Sequence, residues 1–324
     1  MYSRHMFIGG IKRPVIANIE KAHNDGRFND RVEIHDPVIH KEDRTQLTLN
    51  HLRYVRTFRY RINNRVARSL YNIFGWWNNR TTQFVGLENA RKVKTGAIIT
   101  SNHFNPLENL TVLQGMRRAG HLRNYVVSED SNFLMQGFIG FMMKNIDTVP
   151  ITKSHDYLSH QFPAIIRQIL AHKRFILIYP EEQMWFNYRR PRPNKHGAFD
   201  YAAEFGVPII PCFTEIIDTG KPDKETTEFN KVRYVLHILD PIYPDPSLSV
   251  AQNSEMMRQK DYEQKVACYE SVYGKSIDAP FSLDDIAGWT AGDPSIEPQD
   301  SNAEDSNDKD SNDKVDNLAN PFAA

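Results

Sequence analysis

Cysteine is scarce in this 324-residue chain, with only Cys212 and Cys268 present. Neither falls in a CxxC or Cys/His spacing, so no metal site is expected, and one potential disulfide is weak support for an oxidising compartment. The first residues, MYSRHMFIGGIKRPVIANIE, lack the apolar core of a secretion signal. No run of about 18 apolar residues occurs, so no membrane-spanning helix is expected. Net charge is missing too, with 40 Lys+Arg against 40 Asp+Glu, but the balance is uneven along the chain. From Asp293 to Asp316 nine acids face only Lys309 and Lys314, a net of −7, which leaves +7 for the rest. The body is therefore basic and suited to anionic partners such as phosphates or an anionic membrane surface.

Acids are absent from a second place. None lies between Arg44 and Leu87, while Arg53, Arg56, Arg59, Arg61, Arg65, Arg68 and Arg80 all do. Val55, Phe58, Ile62, Val66, Leu70, Ile73 and Trp77 recur every three or four residues, which predicts one apolar stripe on a helix over about 52–80. Arg53, Arg61, Arg65 and Arg68 are expected on the opposite face, with Arg59 on the stripe. A basic amphipathic helix ending in FGWW fits an interfacial membrane helix, because arginines attract anionic headgroups and tryptophans favour headgroup depth. The competing reading is a helix packed on its own domain with a solvated arginine face. Nucleic-acid binding would rest on this segment alone and is not expected.

From about residue 96 short β-rich runs alternate with helical patterns. Candidate strands are 96–101, 124–128, 147–151, 174–180, 207–213 and 233–239, with helices at 158–172, 198–205 and about 254–273. The alternation predicts an α/β fold, a mostly parallel sheet flanked by helices and preceded by the basic amphipathic segment. The expected division is an N-terminal region over 1–83, an α/β domain over 84–290, and an acidic, low-complexity tail over 291–324 too poor in apolar residues to fold. No motif is legible in the first 50 residues.

The run GAIITSN delivers His103 to the C-terminal end of a strand, the edge where open α/β sheets bind ligands. Pro106 suits the first turn of a helix, and Glu108 follows His103 by five. A helical turn here would return the carboxylate to one ring nitrogen and leave the other to take a proton from a hydroxyl. No serine or cysteine nucleophile is needed if the substrate brings its own hydroxyl. His51, His121, His155, His172, His196 and His237 lack this combination of acid, strand end and turn, and are read as structural or surface residues.

The stretch SNHFNPLE resembles the first block of the glycerolipid acyltransferases, the lysophosphatidic-acid acyltransferase-like family, with Glu108 where the family usually has aspartate. Three further blocks follow in order. FIGFMMKNIDTVPITK resembles the second, with Lys153 for the usual arginine. LIYPEEQMW resembles the third: Tyr179, Pro180 and Glu181 fit, while Glu182, Gln183 and Met184 replace glycine, threonine and arginine. KHGAFDYAAEFGVPIIPC leads to the fourth, with Lys195, Gly197 and Ala198 in place. The resemblance covers about residues 84–215.

It implies acyl transfer from acyl-CoA or acyl-carrier protein to the hydroxyl of a lysophospholipid-like acceptor, with His103 and Glu108 catalytic. Asn102, Lys153, Glu181, Arg189, Arg190, Lys195 and Gly197 are the implied substrate-binding residues. It implies no metal or bound cofactor and a lipid acceptor as partner; the basic amphipathic segment adds an anionic membrane surface, and the scarcity of cysteine a cytoplasmic setting, so the protein is expected to be peripheral on the inner face of the cell membrane. The family's block-two and block-three arginines are implied to hold the acceptor phosphate, and Met184 cannot do so. Arg189, Arg190 and Arg192 would supply the lost charge if their loop folds back; otherwise they are a solvated basic loop. Glu182 would repel a phosphate, which leaves a non-phosphate acceptor open. A catalytically lapsed lipid-binding protein is the remaining alternative.

Overall fold

The computed structural model describes residues 12–34, 41–152, 154–223 and 228–295, with the side chains of 41–43 and 45 excepted. Lys153 and nearly all of the predicted acidic tail lie outside the described residues. Seven strands form one sheet: β1 (Gln83–Val85), β2 (Ala97–Thr100), β3 (Asn124–Glu129), β4 (Thr148–Ile151), β5 (Phe175–Ile178), β6 (Ile209–Pro222) and β7 (Asn230–Ile238). Their order is β1-β7-β6-β2-β5-β3-β4. Every neighbouring pair is parallel except β6 and β7. The mostly parallel α/β sheet expected from the sequence is what forms.

The continuous apolar run of β2 follows from its place between β5 and β6, where both faces are covered. Side chains alternate between the two faces along each strand. Ile99, Leu177 and Ile210 point into one cluster, with Val112, Leu113 and Met116 of helix α5 (Glu108–Arg118). Ile98, Ile176 and Ile209 point into the other. That second layer is built by α7 (Phe162–Ala171), α8 (Gly197–Phe205) and α9 (Val250–Tyr273), through Ile166, Phe199 and Met257. Fully burying each such aliphatic side chain contributes about 1.5–3 kcal/mol, so the two layers fix the plane of the sheet and the edge where the turn carrying His103 emerges.

The first helix, α1 (Arg13–Asn24), had no sequence motif to announce it. Its Val15, Ile16 and Ile19 pack with Trp185, Phe186, Tyr188 and Ile286, so it covers the loop that follows the third block.

The stretch expected as one helix over 52–80 is two. α2 (Lys41–Tyr54) ends before Val55, and α3 (Phe58–Asn78) starts after Thr57, whose hydroxyl accepts from the Tyr60 amide at 3.2 Å. The apolar stripe of α3 is present but faces outward: Phe58, Ile62, Val66, Leu70, Ile73, Phe74, Trp76 and Trp77 are all exposed. The face opposite is not arginine. It is the buried set Asn64, Ala67 and Gly75, with Asn64 donating to the Asn145 carbonyl at 2.8 Å and to Asp147 at 3.1 Å. Gly75 faces Leu110 of α5, and a Cβ there would sit at ordinary van der Waals distance, 3.7 Å, from it. Arg61 and Arg65 are exposed too, and Arg68 reaches Asp147 at 3.3 Å. Among the described residues no helix is long and apolar enough to cross a membrane. After β3 the chain passes exposed Leu134 and Met135 into the short helix α6 (Gly137–Asn145), which carries exposed Phe138 and leads to β4.

Gly96, just before β2, is required by close approach: a Cβ there would lie 2.3 Å from the Leu170 carbonyl oxygen. Gly96→Ala is expected to lower stability by about 1–3 kcal/mol, read as a lower urea midpoint at unchanged slope.

Candidate active site

β2 ends at Thr100, whose hydroxyl donates to Asp261 of α9. Asp261 also pairs with the buried Lys265 at 2.7 Å and accepts from Asn194 at 2.7 Å. The next residues continue along β6: the Asn102 side chain accepts from the Thr214 amide at 2.8 Å and donates to the Thr214 carbonyl at 3.1 Å. Asn102 is thus buried as a backbone brace immediately before the histidine.

His103 and Glu108 meet. Nδ1 of His103 is hydrogen-bonded to Oε1 of Glu108, while Oε2 accepts from the amides of Phe104 at 2.5 Å and Asn105 at 2.9 Å. The turn that makes this possible runs through Pro106 into α5, whose first residue is Glu108, an acid suited to a helix N-terminus. Glu108 is buried, with its side chain 1% exposed against 23% for His103. Burial pushes its carboxyl above the ordinary glutamate value, and the His103 ring and the two amides pull it back. The His103 ring stacks on Tyr179, centroids 4.2 Å apart and 14° from parallel. Burial, and then the Glu108 charge, push the Tyr179 hydroxyl well up, so it stays protonated. The second ring nitrogen, Nε2, has no protein partner among the described residues, and the imidazole is partly open to solvent. This is an imidazole held in one tautomer with its other nitrogen available.

Glu181 lies behind His103. It accepts from the His103 amide at 3.1 Å and from the Arg192 amide at 3.0 Å, and pairs with the Arg192 guanidinium at 2.8 Å. The Trp185 amide donates to the His103 carbonyl at 3.0 Å, and the Asn187 amide to that of Phe104 at 2.9 Å. The third block therefore grips the backbone of the first. Glu182, where the family usually has glycine, is exposed and has φ +62, a conformation that favours glycine.

The expected return of the loop arginines is corrected here. Arg190 is buried, donates to the carbonyls of Ile277 at 3.0 Å and Pro280 at 2.8 Å, and pairs with Asp285 at 2.6 Å. Arg189 donates to the Asp284 carbonyl and to Asp218 at 2.7 Å. Both therefore clip their loop to the C-terminal segment. Only Arg192 comes back to His103, and it is buried on Glu181 and the carbonyls of Phe28 and Gln183, with no open edge for a phosphate. Lys195 holds the Pro180 carbonyl through its amide at 2.8 Å while its side chain is exposed. Gly197 opens α8 with nothing within 4 Å of a built Cβ. Lys153 is outside the described residues.

Several participants were not singled out from the sequence. The Tyr179 stack follows from register, since β2 and β5 run parallel with Thr100 opposite Ile178, so their next residues emerge side by side. Asp261 and Asn187 carried no sequence signal. Both cysteines are free thiols, and burial pushes Cys268 up to about 12 and Cys212 higher, so neither is a thiolate at neutral pH.

Residues 81–215 match the family model described as Acyltransferase. Over that stretch the chain resembles the acyltransferase family. The four-block resemblance to the glycerolipid acyltransferases is borne out over that span, which holds His103, Glu108 and the loop through Arg192. The chain is also similar to the crystal structure of the 1-acyl-sn-glycerophosphate (LPA) acyltransferase PlsC from Thermotoga maritima, at 12% identity and a TM-score of 0.46, over 81% of this chain and 97% of that one. No curated protein matches.

The clip of this stretch to the C-terminal segment gives a pH signature. Burial raises the Asp285 carboxyl, but Arg190, Lys275 and the Ser282 amide outweigh it and hold it below the ordinary 3.8. A depressed carboxyl contributes stability that is present above its ordinary value and lost as pH falls through the depressed one. Asp285→Asn is therefore expected to cost about 3–5 kcal/mol near neutrality and to make the fall in stability below about pH 4 shallower, measured by urea unfolding across pH.

Proposed function

We propose that this protein moves a fatty acyl group from the thioester of acyl-CoA or acyl-carrier protein to the hydroxyl of a lysolipid acceptor at a membrane surface. The observation that carries the reading is the His103–Glu108 pair at the end of β2, with Nδ1 occupied by the carboxylate and Nε2 left for a substrate. In this mechanism Nε2 takes the proton of the acceptor hydroxyl as its oxygen attacks the thioester carbonyl. The tetrahedral intermediate then expels the thiolate, the C–S bond breaks, and the imidazolium returns its proton to the leaving sulfur. Glu108 stabilises the imidazolium and fixes the tautomer. Glu181 acts at one remove by holding the His103 amide. Cys212 is buried and Cys268 half-buried, and desolvation keeps both thiols protonated at neutral pH, so neither offers a ready thiolate for an acyl-cysteine intermediate.

The outward stripe of α3 supports a peripheral membrane site. Its aliphatic side chains and two tryptophans, flanked by exposed Arg61 and Arg65, match what an anionic bilayer surface takes up. A cytoplasmic face suits this reading, since both thioester donors are cytoplasmic metabolites.

His103→Ala and Glu108→Gln are each expected to lower kcat by about 10²–10⁴-fold in acyl transfer from labelled thioester, and undiminished turnover in His103→Ala would remove the catalytic assignment. Replacing Ile62, Val66 and Ile73 together by Asp, all three being exposed, is expected to release the protein from anionic vesicles in a sedimentation assay while its unfolding midpoint holds; co-sedimentation at the native level would remove the stripe from membrane binding.

A further inference from the structure

A cleft lies at the other end of the sheet from His103. Asn124 opens β3 and Asp147 immediately precedes β4, so both sit at strand starts, whereas His103 follows the end of β2, which runs the same way. Three arginines converge there from three parts of the chain: Arg68 of α3, Arg117 in the last turn of α5, and Arg123 of the turn before β3. The carboxylate in the described lining, Asp147, is already filled. It accepts from Arg123 Nε at 3.0 Å and Nη2 at 2.7 Å and from Asn64 at 3.1 Å, and pairs with Arg68 at 3.3 Å. Arg117 pairs with no acid among the described residues; its Nη1 donates to the Leu122 carbonyl at 3.1 Å. Burial, and then the Arg68 charge, hold its pKa below the ordinary guanidinium value, as for a cation that lacks a counter-ion.

Charge decides what fits. Three guanidiniums face one carboxylate, a surplus of two positive charges among the described lining. Guanidinium forks suit phosphate oxygens, and a phosphate monoester carries about −1.5 to −2 near neutral pH, which matches the surplus. A neutral headgroup would leave it uncompensated. The buried Asn124 Oδ1, which has no protein partner, is sealed from solvent beneath the cleft. The surroundings point to a lipid as the bearer of the phosphate. Leu122, in the lining, is 64% exposed. Arg61, Arg65, Arg68 and Asn72 follow one another at helical spacing, so they share one flank of α3, between its buried face and its outward apolar stripe. An alkyl chain leaving the phosphate thus has apolar surface to lie on, which a soluble phosphate would not use.

The lipid held here is not the acceptor. α3 and α5 lie side by side in opposite directions: Arg68 and Arg117 share the cleft, while Tyr71 donates to Asn109 at 3.3 Å and Asn79 to the Leu110 carbonyl at 3.2 Å. One end of α5 therefore carries Glu108 and His103, and the other carries Arg117, a rise of roughly 13 Å along the helix. Only a few bonds separate the free hydroxyl of a lysophosphatidate from its phosphate, so a lipid that reacts at His103 does not reach the cleft. We infer that Arg68, Arg117 and Arg123 bind the phosphate monoester of a second, non-reacting lipid, which holds α3 on the bilayer at the end remote from His103. This rests on the peripheral-membrane reading of α3 above and names the headgroup that surface takes.

The test is calorimetric binding to the full chain of octyl phosphate, octyl glucoside and inorganic phosphate, with the amphiphiles below their critical micelle concentrations. Octyl phosphate is expected to bind about tenfold or more tighter than either of the others, the scale of a charged hydrogen bond. Arg117→Gln, which gives up one bond to the Leu122 carbonyl, is expected to weaken octyl phosphate about tenfold or more with its urea midpoint near native. Asn72→Glu, which puts a negative charge into the lining, is expected to do the same and decides the matter if Arg117→Gln does not fold. Binding near His103 would not depend on either residue, so unchanged octyl phosphate affinity in the folded variants overturns the inference. Octyl phosphate that binds no tighter than octyl glucoside overturns it too, as it would if an acid from residues 296–324 filled the cleft. Inorganic phosphate of equal affinity marks a soluble ligand and overturns the lipid assignment. A raised KM for acyl-carrier protein in Arg117→Gln, with octyl phosphate unaffected, overturns it in favour of an acidic protein partner. On vesicles of phosphatidate in phosphatidylcholine, Arg117→Gln is expected to sediment less than the native chain, and equal sedimentation overturns the anchoring role. Because the calorimetry uses no bilayer, it stands apart from the stripe: if the triple Asp replacement on α3 still sediments at the native level while octyl phosphate binding holds, it is the membrane reading of the stripe that fails.

Discussion

One carboxylate organises the edge of the sheet where His103 emerges. Glu108 is buried yet makes contacts to three donors that all belong to the turn it closes: the His103 ring and the amides of Phe104 and Asn105. A buried carboxylate without such partners would simply take up a proton. Here the same bonds that satisfy it also shape the turn and select the histidine tautomer, so local fold and chemistry are not separable. Around this turn the chain adds outer supports. Asn102 splices the strand end to β6, Glu181 holds the His103 amide, and the Asp261–Lys265 pair ties Thr100 to α9.

Much of this was legible because it rests on short-range pattern. The buried parallel strands are apolar runs bounded by turn residues, and the histidine, proline and acid lie within six positions of one another. β6 was underestimated, since its solvent-exposed second half, through Pro222, lacks the apolar run that marks its first. The break between α2 and α3 was missed because periodicity passes through Val55 undisturbed, while a single Thr57 cap ends one helix and begins the next. α1 was missed because its apolar face meets partners far away in sequence, around Trp185 and Ile286.

The contact between His103 and Glu108 was legible from their spacing, whereas the course of the arginine loop was not. Counting arginines after Met184 found three positive charges and could not tell where they point. Whether a guanidinium greets a substrate or a carbonyl depends on what the C-terminal segment brings, and residues 277–285 bring a row of carbonyls and Asp285. The loop became a structural strap because its partners lie about ninety residues downstream.

Helix α3 reverses the arrangement usual for a water-soluble helix, turning amide and glycine inward and aliphatic and indole groups outward. The apolar side chains exposed on this surface are consequently not the ones that hold the body together. Surface apolarity and folding stability are thus set by different residues, so one face of this helix can be made polar while the buried contacts of Asn64 and Ala67 stay in place.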